Sequence, residues 1–210
     1  MKKVSLVVVA LLLATFNLPA QSKSSSGGKC FDENSHVLNL GIGFGSRAYY
    51  NYGRGLGWSY RVTPALSLSY EQALKKPLGP GLLGLGGYFG FQRATYKYDD
   101  YYYNGTRYYY SHNWTYMFLA VRGAYHADAL TFEKGELYFG ASLGLRIQTY
   151  KYETNSPDPN RNYYSLSEGS IYPGYSLFVG GRYYFTNSIG VFGELGYGIS
   201  YFTAGLSFKF

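Results

Sequence analysis

The chain of 210 residues carries 27 Tyr, 14 Phe, 2 Trp and 28 Gly, only 15% charged residues, and a formal net charge of +7. So much aromatic surface excludes a disordered chain, and Tyr and Gly in this abundance are poor material for a helical bundle. The basic residues are scattered, with no stripe or recognition helix for nucleic acid, and the single cysteine, Cys30, excludes an intramolecular disulfide framework.

Lys2-Lys3, the apolar run Val4 to Phe16 and the small-residue site Leu18-Pro19-Ala20 have the order of a secretory signal peptide. Residues 1–20 are therefore expected to be removed. Residues 21–35, rich in Ser, Gly and Lys, are expected to form a flexible periplasmic linker with Cys30 as a bystander. No later segment holds 18 consecutive apolar residues, so a helical membrane protein is excluded. Strands of about 9–11 residues can still cross a membrane as a closed barrel.

From residue 36 to 210 the sequence alternates with a period of two. Leu38, Leu40, Ile42 and Phe44 oppose Asn39, Gly41, Gly43 and Gly45; Leu66, Leu68 and Tyr70 oppose Ser67, Ser69 and Glu71; Leu83, Leu85, Phe89 and Phe91 oppose Gly84, Gly86, Tyr88 and Gln92. Met117, Leu119 and Val121 then oppose Phe118, Ala120 and Arg122, and Leu137, Phe139, Leu143, Leu145 and Ile147 oppose Gly140, Ser142, Gly144, Arg146 and Gln148. Leu177, Val179, Tyr183 and Phe185 oppose Ser176, Gly180 and Arg182. Two short strands close the chain, with Ile189, Val191 and Leu195 opposing Gly190 and Glu194, and Phe202, Leu206, Phe208 and Phe210 opposing Thr203, Gly205, Ser207 and Lys209. This predicts an all-β, eight-stranded antiparallel up-and-down barrel. Short connections are expected at Ala73 to Gly81, Ala127 to Gly135 and Thr186 to Ser188. Longer ones are expected at Arg47 to Tyr60, Asp99 to His112 and Asn155 to Ile171, the rim asymmetry of an outer-membrane barrel.

A soluble eight-stranded barrel also has one apolar face per strand, but its other face should carry many charges. Here that face is mostly Gly and Ser, which suits the crowded inside of a narrow barrel. The sparse long polar side chains, Glu71, Gln92, Arg122, Arg146, Arg182 and Glu194, are then lumen groups, with the arginines pairing with Glu71 and Glu194. Tyr96, Tyr98, Tyr150, Tyr152, Tyr183, Tyr184 and Phe185 are expected to form girdles at the lipid–water interfaces.

The blocks Leu38-Asn39-Leu40-Gly41-Ile42-Gly43-Phe44-Gly45, Leu66-Ser67-Leu68-Ser69-Tyr70-Glu71, Leu78-Gly79-Pro80-Gly81 and Gly84-Leu85-Gly86-Gly87-Tyr88 resemble the small OmpA/OmpX-type outer-membrane β-barrel family in its Bacteroidetes form. Gly180-Gly181-Arg182-Tyr183-Tyr184-Phe185 and Glu194-Leu195-Gly196-Tyr197-Gly198 extend the resemblance over the mature chain. The C-terminus, with Thr203, Gly205, Phe208 and Phe210, resembles the signal read by the barrel assembly machinery. The resemblance implies a monomer in the bacterial outer membrane, whose partners are membrane lipid, lipopolysaccharide and that machinery.

Candidate chemistry is thin. His36, His112 and His126 are far apart in sequence and the cysteine lies in the linker, so neither a metal nor any other cofactor is expected. Gly79 to Gly84 spells a dinucleotide fingerprint, but a strand follows it where the fingerprint needs a helix. Ser111 and His112 with Asp99 or Asp100 form the one grouping that could suit hydrolysis. Neighbours on an extended chain point apart, so an enzyme is not expected. The stretch Asp99 to His112 holds Tyr101, Tyr102, Tyr103, Tyr108, Tyr109 and Tyr110, with Tyr49, Tyr50, Tyr52, Tyr163 and Tyr164 in neighbouring loops. These suit a recognition surface or Tyr ladders on a sheet protruding from the membrane. The function expected is a structural or surface-interaction barrel with a plugged polar lumen; a narrow solute channel ranks second and a lipid-modifying enzyme third.

Overall fold

The computed structural model describes residues 30–46, 58–103, 105–155 and 167–210. The signal segment, the first part of the linker, and Tyr49, Tyr50, Tyr52, Tyr163 and Tyr164 lie outside the described residues. Nine strands run in chain order: β1 (His36–Phe44), β2 (Trp58–Val62), β3 (Ala65–Ala73), β4 (Gly81–Tyr103), β5 (Thr106–Ala127), β6 (Gly135–Thr154), β7 (Ser167–Tyr184), β8 (Ile189–Tyr197) and β9 (Phe202–Lys209). All pairings are antiparallel, in the order β4-β3-β1-β9-β8-β7-β6-β5, and β5 pairs back onto β4, so eight strands close a ring. The ninth, β2, continues the β3 position higher on β4. Pro64 separates the two because it cannot donate to the ladder. The step from Val62 opposite Ala94 to Leu66 opposite Phe91 adds one residue on the β2–β3 side, which makes a bulge there.

The three expected short connections fall where the alternation breaks, after Ala73, Ala127 and Tyr184, and β4 starts at Gly81 with no helix after the Gly79-Pro80 turn. At the other rim the structure corrects the expected loop from Asp99 to His112. β4 and β5 run on as one long hairpin to Tyr103 opposite Thr106, with Gly105 at φ +75°; the sequence between them is Asn104-Gly105. That dipeptide is the strongest short hairpin signal a sequence can carry.

Strand lengths divide the ring in two. β1, β3, β8 and β9 have 8 or 9 residues, close to the length needed to cross a membrane, whereas β4 to β7 have 18 to 23. The surplus stands above the ring as a flange of four strands, with β2 on one edge. Above Ser176, β7 pairs only with β6, so Pro173 lies in an edge portion where its missing N–H is tolerated.

The outward positions of the ring form a continuous apolar belt; Leu143 is 70%, Val121 68% and Ile171 67% exposed. The inward positions are buried, and small and large residues are matched between neighbouring strands, with Gly140 opposite Phe178 and Gly180 opposite Tyr138 on β6 and β7. A Cβ on Gly140 would stand 2.5 Å from the Phe178 ring, and one on Gly180 would stand 2.8 Å from that of Tyr138. Part of the aromatic complement therefore lies inside, as Phe118, Tyr138, Phe178, Tyr184 and Phe192. This corrects the placing of Tyr184 in a girdle: Tyr183 and Phe185 point outward, and the residue between them must point in. Residues 30–35 are a second correction. Phe31 is buried with Val37, Ala73 and Leu82, Cys30 N–H donates to the Phe132 carbonyl, and Lys209 Nζ donates to the Cys30 carbonyl. An aromatic at position 31 has apolar surface to bury, so the end of the linker docks on the barrel.

Gly144 tests the packing of the wall. A Cβ there would lie 2.0 Å from the Leu119 carbonyl oxygen, whereas one on Gly193 meets nothing within 4 Å. Gly144→Ala is expected to destabilise the folded barrel by about 1–3 kcal/mol, read as a lower urea midpoint in micelles, and Gly193→Ala to leave that midpoint unchanged.

Candidate functional site

The ladder register stacks the inward positions in layers. At the turn end, His126 of β5 sits between two carboxylates, with Nδ1 2.7 Å from Glu136 Oε2 and Nε2 2.9 Å from Glu71 Oε1. Carboxylate oxygens only accept, so both ring nitrogens satisfy these contacts only as N–H donors. Arg182 donates from Nη1 to Glu136 at 2.5 Å and lies 3.7 Å from Glu71. Arg122 holds Glu194 with both terminal nitrogens, at 2.5 and 3.2 Å, and its Nε lies 3.9 Å from Glu71. Tyr138 donates its hydroxyl to Glu194 at 2.8 Å. Three carboxylates thus share two guanidinium groups and one imidazole, all buried. The arginines also lie against aromatic faces: Arg122 is 3.7 Å from the Phe178 centroid and Arg182 is 4.8 Å from that of Tyr138.

The N-terminal segment covers this cluster. The Phe31 ring stacks on His126 at 3.6 Å and 12°. Burial pushes the Cys30 thiol up to about 12, so it stays protonated at neutral pH. A separate polar chain lies across the seam, where Asn39 donates to Ser69 at 3.1 Å and Ser207 donates to Asn39 at 2.8 Å, with the Tyr184 hydroxyl 3.4 Å from Ser207.

Of the six lumen residues named from sequence, the structure brings together Glu71, Arg122, Arg182 and Glu194. Gln92 and Arg146 stand apart. Gln92 is buried nearer the flange and donates to the Thr63 carbonyl at 3.0 Å. Arg146 pairs with no carboxylate among the described residues; it donates to the Tyr175 carbonyl at 3.0 Å and lies 5.2 Å from the Phe118 centroid. The register explains this: Arg122 is opposite Ser142, so Arg146 is two inward rows further out. His126, Glu136 and Tyr138 are not among the lumen groups expected from sequence, although all three share the inward parity of Arg122 or Arg146.

The residues named for assembly close the ring. β9 pairs with β1, Phe210 N–H donates to the His36 carbonyl, and the two rings stack at 5.9 Å. Phe208 lies opposite Leu38, Thr203 is buried with its hydroxyl 2.8 Å from Ser200, and Gly205 passes so close to β1 that a Cβ would meet the Leu40 carbonyl.

Above the belt the two faces exchange character. The last apolar outward row is Phe91, Met117, Ile147 and Ile171; the rows beyond it hold Arg93, Thr115 and Thr149, then Thr95, Asn113 and Lys151, then Lys97, Ser111 and Glu153. These are cross-linked, with Asn113 Oδ1 accepting from Arg93 at 3.2 Å and Thr95 at 2.9 Å, and its Nδ2 donating to Glu153 at 3.3 Å. The inward rows are aromatic instead. Trp114 and Tyr150 are 5.5 Å apart, His112 stacks on Trp114 at 5.9 Å, and Tyr60, Tyr96, Tyr110 and Tyr152 continue the array. Tyr96, Tyr98, Tyr150 and Tyr152 therefore belong to this inner face and not to a lipid girdle. His112 meets the Tyr150 hydroxyl at 2.7 Å, and partial burial lowers its pKa, so the ring is neutral at pH 7. Ser111 and His112 point to opposite faces and Asp99 pairs with Lys97 and Arg107, so no nucleophile–base–acid line forms among the described side chains, which do not include that of Asp100.

Of the six tyrosines near the hairpin tip, Tyr110 faces Tyr152 at 6.5 Å, Tyr109 lies under Lys97 Nζ at 5.0 Å, and Tyr102 is 60% exposed beside Arg107. Tyr108 is half-buried, and the side chains of Tyr101 and Tyr103 lie outside the description. Two adjoining clefts open on the aromatic face. One of about 410 Å³ is lined by Gln92, Tyr116, Arg146, Gln148, Tyr172 and Tyr197, and one of about 320 Å³ by Trp114, Gln148, Tyr150, Glu168 and Ser170.

Glu194→Gln is expected to cost about 3–5 kcal/mol of stability, because it leaves Arg122 buried and under-compensated; urea unfolding in micelles measures it, and adding Arg122→Met should recover part of the loss. Cys30 is expected to resist maleimide at pH 7 in the folded barrel, and Phe31→Ala to make it react at least several-fold faster.

No family model matches the chain, and no curated protein matches it. Among solved structures, Ail, the attachment invasion locus protein of Yersinia pestis, aligns with a TM-score of 0.47 at 12% identity over 85% of this chain and 100% of that one. Ail in complex with the heparin analogue sucrose octasulfate aligns with a TM-score of 0.45 at 10% identity over the same shares of the two chains.

Proposed function

We propose that this chain is an integral barrel of the bacterial outer membrane, with a lumen closed by its own side chains and a flange that presents an aromatic face for surface interaction. The observation that carries the reading is the change along the outer wall of β4 to β7, from a purely apolar belt to cross-linked polar rows at Arg93, Thr115 and Thr149. A charged side chain on the lipid face near the bilayer midplane costs about 2–4 kcal/mol. Apolar rows below and polar rows above support a hydrocarbon boundary between Ile147 and Thr149. A water-soluble barrel would have no reason to expose Leu143, Val121 and Ile171 together.

A closed lumen rather than a channel is supported by the ring size and its filling. Eight strands leave room for little more than side chains, and Arg122, Arg182, His126 and three carboxylates cross it under the Phe31 lid. The chain's task is then at the surface, and it is structural and interactive rather than catalytic.

Purified from the outer-membrane fraction, the protein should migrate faster unheated than boiled. In planar bilayers it should give no stable unitary conductance. A soluble periplasmic product would contradict the membrane reading, and reproducible single-channel steps would contradict the closed lumen.

A further inference from the structure

The two clefts at the foot of the flange adjoin across Gln148, which lines both, and are taken together as one depression. Its combined volume falls in the range of small-molecule sites. Its walls are mainly rings and planar polar groups: Tyr116, Trp114 and Tyr150, with the amides of Gln92 and Gln148, the Arg146 guanidinium and the Glu168 carboxylate; Pro173 and Ile199 line its lower end. Above the row of Gln92, Tyr116, Gln148 and Ser170, the described inward positions on β4 to β7 include no Leu, Ile, Val or Met.

Each feature limits the occupant. With its aliphatic surface confined to Pro173 and Ile199 at the lower end, the depression offers no extended apolar track for an acyl chain or the apolar stripe of a helix. One cation and one anion leave it without net charge, which disfavours a polysulfated or polyphosphorylated chain. A pyranose ring fits both halves of the set. Its C–H face, weakly positive, packs on the negative face of an aromatic ring. Its hydroxyls donate and accept at once, so amides, a guanidinium and a carboxylate can satisfy them in pairs. Arg146 is held in place by backbone carbonyls rather than by a carboxylate partner, so its remaining N–H groups are not committed to a neighbouring anion.

We propose that this depression is a binding site for a neutral oligosaccharide, with sugar rings stacked on Trp114 and Tyr150 and hydroxyls held by Gln92, Gln148, Arg146 and Glu168. The proposal rests on the surface-interaction reading and names its ligand class. The site faces the barrel axis, and the flange's own sheet stands between it and the surrounding leaflet. This favours a free or foreign glycan chain over the sugars of the cell's own membrane lipids, which lie against the outer wall.

The test uses full-length mature protein refolded in detergent, with folding verified by heat-modifiable mobility. It is probed on an array of neutral, carboxylated and sulfated glycans that includes the cell's own lipopolysaccharide, followed by calorimetric titration of the strongest neutral binder. Saturable binding to a neutral glycan is expected. Trp114→Ala and Gln148→Ala should each weaken it about tenfold, the scale of one lost stacking or paired hydrogen-bond contact. Thr115→Ala, on the opposite face of β5, should leave it unchanged, and Trp114→Phe should retain most of it. No neutral binder on a verified barrel, binding confined to sulfated glycans or to the lipopolysaccharide, or binding indifferent to Trp114→Ala and Gln148→Ala would overturn the proposal. Each of those results leaves the barrel reading standing, because folding and heat-modifiability are scored separately.

Discussion

An eight-stranded ring is only as wide inside as its own side chains, and that limit governs this molecule. Every inward position must fit the ones across from it in both volume and charge. Glycines face Tyr138 and Phe178 because no Cβ would fit. Buried carboxylates are tolerated because Arg122, Arg182 and His126 are brought within contact of them. The same limit makes the N-terminal segment part of the barrel, since Phe31 completes the stack over His126 where the ring's own side chains end.

In the proposed membrane placement the outer wall meets a different solvent. In hydrocarbon every backbone polar group must be paired, which closure of the ring achieves, and side chains must be apolar. Once β4 to β7 pass beyond Ile147 that constraint ends, and the two faces exchange roles. The outward face becomes a hydrogen-bonded polar lattice around Asn113, and the inward face, with only short strands opposite it, carries Trp, His and Tyr rings at close spacing. One alternation of residues thus encodes a filled lumen below and an aromatic platform above.

Much of this can be read from the sequence, because a period of two assigns each side chain to a face. The apolar face of each ring strand, the three short turns and the inward Glu71, Arg122, Arg182 and Glu194 follow from alternation. Height does not, since it depends on how far each strand slides past its neighbour. Arg146 and Arg122 share a face, yet the register of β5 against β6 puts them two rows apart, and so Arg146 lies outside the ion cluster. Glu136 and His126 are hard to find for the converse reason. They flank the β5–β6 turn at the very ends of their strands, where the alternation has too few neighbours to read. Tyr184 shows the cost of treating neighbouring tyrosines as one block: alternation sends it into the lumen between two outward rings. Phe31 has no periodic context, and its burial becomes visible only once the barrel end is built.

In the proposed placement, hydrocarbon meets the outer wall of β6 from Leu137 to Ile147 and water meets it from Thr149 onward. Single fluorophores attached at Leu137, Leu143, Ile147, Thr149 and Lys151, in barrels reconstituted with spin-labelled lipids, measure this directly. Strong quenching is expected by the lipid label at the first three sites and by an aqueous quencher at the last two. Aqueous quenching of comparable strength at all five sites would contradict it.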